Sequence, residues 1–335
     1  MAAAAGIVLG VLGLLQGGAF GLLGVFTNNI TPQKVDGGDS SVRIAVGLSG
    51  TNTGGDPPYI AAFNEETEFV GYYDGGGKIE QGSFSDLTIN QHCGKGCHKG
   101  QQASYLQLFA GDDAICVAYI AQTWADDTKR AWLGDMGKAC GMATYVSNIV
   151  VQLENNQVHR PLCTWLDRDH SEPNFEVGAI QLHMSSFSEV RKSDIPSKEK
   201  LCNAPITIAH YDAGRDDSIL PKFWRSNTKL KRTSRSSRRS DRGSRSPGDS
   251  PFNGTLIASY HAQHNATALC ANPMSWGPDF VSLDEGIFCD MTTRTTWPLC
   301  GNYIHFNCYD WNTHHLVEGN LQKRKMSYSD VIEWR

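Results

Sequence analysis

The cluster with the most ligand-like chemistry is His92-Cys93-Gly94-Lys95-Gly96-Cys97-His98. Two thiols and two imidazoles this close could hold zinc tetrahedrally. A structural zinc site normally draws a second ligand pair from elsewhere in the chain, and oxidising conditions turn such thiols into a bridge. The cluster is therefore read as a disulfide-closed loop, with no metal assigned. Two acidic loops follow. Asp167, Asp169, His170 and Glu172 crowd one, and His210, Asp212, Asp216 and Asp217 crowd the other. Paired carboxylates could do general acid and base work on a glycoside, or offer oxygens to calcium. No D-x-[DN]-x-[DN]-G run is present, and solvated turns are the simpler account. Gly47-Leu48-Ser49-Gly50-Thr51 lacks the last glycine of a G-x-S-x-G elbow. His261 and His264 stand three apart with no glutamate between them, unlike H-E-x-x-H. No phosphate loop or dinucleotide fingerprint appears, so no catalytic residue and no cofactor is assigned.

A different chemistry is written between Lys229 and Arg245. Eight bases and one acid give this stretch +7 in a chain of net charge −5, so the remainder carries −12. An acidic body opposes nucleic-acid binding, whose footprint is a basic face. The stretch resembles the Arg/Ser tracts of RNA-processing proteins, but such tracts belong to nuclear or cytosolic chains. It also holds two dibasic pairs, Lys231-Arg232 and Arg238-Arg239. Subtilisin-like processing proteases of the secretory pathway have acidic clefts that select such pairs in exposed linkers. The expected cuts follow Arg232 and Arg239.

The cysteines agree with that compartment. Cys93, Cys97, Cys116, Cys140, Cys163 and Cys202 precede the basic run, and Cys270, Cys289, Cys300 and Cys308 follow it. Both sets are even, so each side could close its own bridges, although the pairing is not readable from sequence. Sequons stand at Asn29, Asn253 and Asn265. Residues 6–26 are apolar apart from Gln16, long enough as a helix of about 30 Å to cross a bilayer. Three readings compete for them: a signal peptide, an uncleaved anchor, and a membrane-inserting segment using Gly13, Gly17 and Gly21. No base precedes the run, and its one small-x-small site, Ala19-Phe20-Gly21, matches a cleavage site poorly.

The elements that must position these groups read as strands. Val42–Val46 alternates, as a half-buried strand does. Glu68–Tyr73 and Lys78–Glu80 flank Asp74-Gly75-Gly76-Gly77, a hairpin pattern. Ser104–Phe109 and Ala114–Ile120 flank Gly111-Asp112-Asp113 in the same way. Tyr145–Leu153, Leu162–Leu166, Val177–Met184 and Thr255–Ser259 complete the set. Tyr260–Cys270 could be a short helix with Ala262, Ala266 and Leu269 on one face. The expected organisation is an apolar leader over 1–27, a β-rich domain over 40–222, a basic processing linker over 223–250, and a Cys-rich part over 251–335. The last is small for an independent core, so it should pack on the first part and complete a sheet there. The fold class is mainly β, a disulfide-stabilised sandwich-like body.

Three stretches together carry a resemblance: YLQLFAGDDAICVAYIAQTWADDTKRAWLGDMGKACG from Tyr105 to Gly141, LCTWLDRD from Leu162 with Gly178–His183, and GPDFVSLDEGIFCDMTTRTTWPLC from Gly277 to Cys300. They resemble a family of secreted, dibasic-processed, Cys-rich proteins of filamentous ascomycete fungi whose activity is unknown. The resemblance spans most of 42–310. It implies secretion and processing and assigns no catalytic residue. The expected role is a secreted or cell-surface fungal glycoprotein matured by dibasic cleavage, non-enzymatic, with a binding or effector-type function toward a carbohydrate or host surface ligand and a processing protease as its other partner. Trp124, Trp132, Trp165, Trp276 and Trp297 are candidates to stack on sugar rings. The rival readings are a polysaccharide hydrolase using loop carboxylates, and a membrane-active toxin using residues 6–26.

Overall fold

The computed structural model describes residues 30–50, 52–66, 68–91, 99–152, 158–169, 177–187, 201–202, 207–211, 252, 254–301, 303–319 and 322–335. The apolar leader, the basic linker, Cys93, Cys97, Asn29 and Asn253 lie outside these residues. The chain is mainly β. Before the basic run come β1 (Ser40–Val46), β2 (Tyr59–Phe63), β3 (Phe69–Tyr73), β4 (Phe84–Gln91), β5 (Tyr105–Phe109), β6 (Ile115–Thr123), β7 (Lys129–Leu133), β8 (Thr144–Tyr145), β9 (Val151–Gln152), β10 (Val158–His159), β11 (Cys163–Leu166), β12 (Ala179–His183) and β13 (Ile208–Tyr211).

One curled antiparallel sheet runs β13-β12-β5-β2-β3-β4-β1-β6-β11-β8, with β7 also paired to β6. The curl is made at β4. Its first six residues pair with β1, while Asn90 and Gln91 pair with β3, so one strand belongs to both walls. The inward residues of β1, Val42, Ile44 and Val46, alternate with Ser41, Arg43 and Ala45. They meet Ile60, Leu106, Leu108, Ile180 and Leu182 from the opposite wall in one apolar core. Burying each such side chain contributes about 1.5–3 kcal/mol, which is why the period of two fixes the register.

All nine residues of β6 are buried. Ile115, Val117 and Ile120 face the first core, whereas Cys116 and Ala118 face a second one on the other side of the sheet. A strand covered on both faces reads as an unbroken apolar run rather than an alternating one. The second cover is the chain that follows the basic run. It forms a sheet ordered β17-β16-β15-β14-β21, from β14 (Thr255–Ser259), β15 (Asp279–Ser282), β16 (Ile287–Asp290), β17 (Thr295–Pro298) and β21 (Asp330–Trp334). β14 lies parallel to both neighbours. Parallel pairing needs a crossover, and the helix Ala266–Ala271 lies on the path from β14 to β15. β18 (Cys308–Asp310), β19 (His315–Glu318) and β20 (Gln322–Lys325) form a further three-stranded sheet. Tyr309 and Leu316 close a core against Leu256, Val281 and Phe288.

Several expectations are corrected. The C-terminal part packs on the first part but builds its own sheet: among the described residues a single bridge, Thr144 to Ser275, is the strand-like pairing between them. Neither proposed hairpin forms. β5 pairs with β2 and β12, while β6 pairs with β1, β11 and β7, so Gly111-Asp112-Asp113 carries the chain from one wall to the other. After Gly75, Gly76 and Gly77, all at positive φ, Ile79 bridges Gly55 instead of β3. Turn residues show that a chain bends; the core decides whether its flanks pair. The helix starts late, at Ala266, because Asn265 caps it by accepting from the Ala268 N–H at 2.6 Å, leaving Ala262 exposed.

Candidate functional site

The structure pairs eight of the ten cysteines: Cys116 with Cys163, Cys140 with Cys202, Cys270 with Cys289, and Cys300 with Cys308. Each bridge joins residues on one side of the basic run. The remaining two, Cys93 and Cys97, both precede it, so no intrachain bridge can cross the segment that carries Lys231, Arg232, Arg238 and Arg239. Bridges of this number fit an oxidising compartment.

What joins the two sides is a non-covalent seam. Tyr145 and Trp165 of the first part pack with Phe252, Ile257, Phe280 and Trp334 of the second. The Tyr145 hydroxyl donates to the Pro278 carbonyl at 2.6 Å, and the Trp165 indole N–H donates to the Trp276 carbonyl at 3.0 Å. Thr144 donates to and accepts from the backbone of Met274 and Trp276. Gln263 donates to the Val158 carbonyl at 2.7 Å and accepts from the Arg160 N–H at 3.1 Å. Gly277 lies so close to the Tyr145 ring that a side-chain carbon there would overlap it.

Histidines line this seam. His264 is 3% exposed. Its Nε2 lies 3.3 Å from the Ser147 carbonyl, which can only accept, so Nε2 carries the proton and Nδ1 accepts from the Ser259 hydroxyl at 2.8 Å. Burial, with His261, Arg160 and His159 nearby, pushes its pKa down to about 3, against the weaker pull of the Ser147 carbonyl. His159, in contrast, lies 2.9 Å from buried Asp135. Burial opposes its charge, but the Asp135 charge and hydrogen bond outweigh that and raise its pKa. Ser259 and His264 are not a nucleophile and base: both are sealed from solvent, and the far side of the ring meets a carbonyl rather than a carboxylate.

The other sequence candidates disperse. Ser49 is buried and donates to the Val146 carbonyl at 2.7 Å, so the broken elbow is structural. Asp167 is buried whereas Asp169 is exposed, and His210 is exposed at the far edge of the first sheet. His170, Glu172, Asp212, Asp216 and Asp217 lie outside the described residues, as do His92 and His98. No group of three metal-ligating side chains occurs among the described residues. No helix among them is long and apolar enough to cross a membrane. Trp124, Trp132 and Trp165 are core residues, 2%, 0% and 1% exposed, so they cannot stack on a sugar; Trp276 and Trp297 are half-buried. Asn265 is partly exposed beside exposed Thr267.

The aromatic surface lies elsewhere. Between Cys300 and Cys308 the chain presents Tyr303, Ile304 and Phe306, 97%, 41% and 60% exposed. Among the described residues, the exposed rings of Phe84 and Tyr260 are covered by cations: Arg43 lies over Phe84 and Arg335 over Tyr260. Tyr303 and Phe306 have no such cover among the described residues. The described residues around these rings are nonetheless tied by hydrogen bonds. Gly301 and Ile304 exchange backbone hydrogen bonds, Cys300 donates to the Tyr309 carbonyl, and Asn307, in the left-handed region at φ 53°, accepts from the Gly319 N–H at 2.9 Å. Beneath it Tyr309 stacks on Phe288 at 4.0 Å. Sequence reading passed over this loop. Its exposure rests on the Cys300–Cys308 pairing, which spans eight positions and is not readable from the sequence.

No family model matches the chain, and no curated protein matches it. A solved structure titled "Crystal structure of Delta413-417:GS LOX" aligns at 14% identity over 37% of this chain, with a TM-score of 0.21. The chain spans 16% of that structure's length, and a likeness of this degree assigns neither fold nor function.

Proposed function

We infer that this is an exported fungal glycoprotein, cut in its basic segment, that works by binding a partner at a cell or host surface. The observation that carries the binding role is the bridged loop with Tyr303, Ile304 and Phe306 in solvent. Aromatic anchors held rigidly lose little conformational entropy on contact, and such residues dominate binding energy where they enter a partner's pocket. Export is supported by the four bridges and by the sequons. Maturation by cleavage after Arg232 or Arg239 is supported by a seam that holds both parts together without a covalent link across the cut.

The reading is tested with fluorescently labelled, secreted protein on isolated fungal wall and on intact cells. Saturable binding is expected, falling at least about tenfold in a Tyr303→Ser/Phe306→Ser variant that unfolds at the same temperature. Equal binding by both proteins, or none by the wild type, refutes the role of the loop.

A further inference from the structure

Away from the seam and the loop, a hydroxyl, an imidazole and a carboxylate stand in line. β12 ends at His183 and passes directly into a 3-10 turn, Met184–Phe187. That turn brings the Ser186 hydroxyl to 2.6 Å from His183 Nδ1. On the other side of the ring, Nε2 lies 3.0 and 3.2 Å from the two carboxylate oxygens of Glu65. Glu65 follows β2, and the register line Phe63–Tyr105–His183 brings the ends of β2, β5 and β12 together. Tyr105 stacks on the imidazole at 4.3 Å and fixes its plane.

The protonation states follow from the partners. Burial would raise the Glu65 pKa, but hydrogen bonds from Ser185 and His183 outweigh it and hold the carboxyl below its ordinary value. An ionised Glu65 only accepts, so Nε2 carries a proton, and in the neutral ring Nδ1 is the lone pair facing Ser186. The order is nucleophile, base, orienting acid, which is the arrangement that activates a serine. Ser186 and His183 are partly exposed, and the Glu65 side chain is 55% exposed.

We propose that Ser186 is the nucleophile of an ester hydrolase site, with His183 as its base and Glu65 as the group that positions the ring. The placement at the rim of the sheet suits a short-acyl ester presented on a larger molecule. Ser186 Oγ adds to the ester carbonyl carbon as its proton passes to His183 Nδ1. The alkoxide leaves with that proton. Water then adds to the acyl carbon, again giving its proton to Nδ1, and the carboxylic acid departs as Ser186 regains its hydrogen.

The test uses the full secreted chain, with 4-nitrophenyl acetate turnover and fluorophosphonate labelling located by peptide mass. The label is expected on Ser186. Ser186→Ala should lose labelling and turnover, and His183→Gln should slow both by at least about 100-fold. Glu65→Gln should slow turnover and move its pH profile, which a turn-capping role would not do. Labelling at another residue, no labelling of the folded wild type, or wild-type turnover by Ser186→Ala overturns the proposal. The position of the label decides the matter even if a variant fails to fold.

Discussion

Replacing His264 with glutamine should remove a specific part of the protein's acid sensitivity. In the folded chain His264 stays neutral down to about pH 3, from an ordinary value of 6.5. Between those values the unfolded chain binds a proton that the folded chain refuses, so stability falls as pH falls. Each pH unit is worth about 1.4 kcal/mol, so lowering the pH from 7.5 to 5.0 should cost about 2 kcal/mol through this one residue. His159 works in the opposite direction. Its raised pKa contributes stability that is complete below about 6.5 and is lost as pH rises through its folded value. The wild-type change alone therefore mixes the two. The clean quantity is the pH-dependent loss in the wild type minus that in His264→Gln. Urea titrations followed by tryptophan fluorescence suit it, since Trp334 lies 5.1 Å from the His264 ring. A difference near 2 kcal/mol is expected. A difference near zero, or of opposite sign, would refute the view that the seam holds this imidazole neutral.

Other perturbations separate the parts of the molecule. Gly277→Ala should destabilise the seam by about 1–3 kcal/mol, because the added carbon overlaps the Tyr145 ring; size-exclusion of the cleaved protein reads this as early separation of the two chains. Removing the Cys140–Cys202 bridge, which spans 62 positions, should cost about 2–5 kcal/mol by thermal unfolding, and unchanged stability would contradict its role. Tyr303→Ser should change stability by less than about 0.5 kcal/mol, because its ring is 97% exposed, while weakening surface binding.

Much of the fold was legible, and what was missed shares one cause. Val42, Ile44 and Val46 alternate because one face of β1 meets a core. Residues 115–121 do not alternate, because the strand is covered on both faces; from the sequence they read only as one flank of a hairpin. The glycines after Asp74 and at Gly111 signalled turns correctly. They gave no information on pairing, which depends on residues such as Leu108 and Val117 meeting across a core from opposite walls. Aromatic type likewise says nothing of place: Trp132 is sealed while Tyr303 stands in water. His261 and His264 were set aside because they match no zinc motif. The place of His264 depends on Ser147, which lies over a hundred positions away in the chain and meets it only once the seam has formed. The Ser186, His183 and Glu65 line joins two distant strands and so left no local pattern.

The most direct measurement is mass analysis of the secreted protein after complete cleavage in the basic segment, without reduction. Under native conditions one particle holding both chains is expected, because Tyr145, Trp165, Phe280 and Trp334 seal the seam. In denaturant, still unreduced, that particle should fall into two separate chains, each keeping its own bridges. Chains that remain joined in denaturant, or that part in native buffer, would contradict a seam that joins the two parts non-covalently.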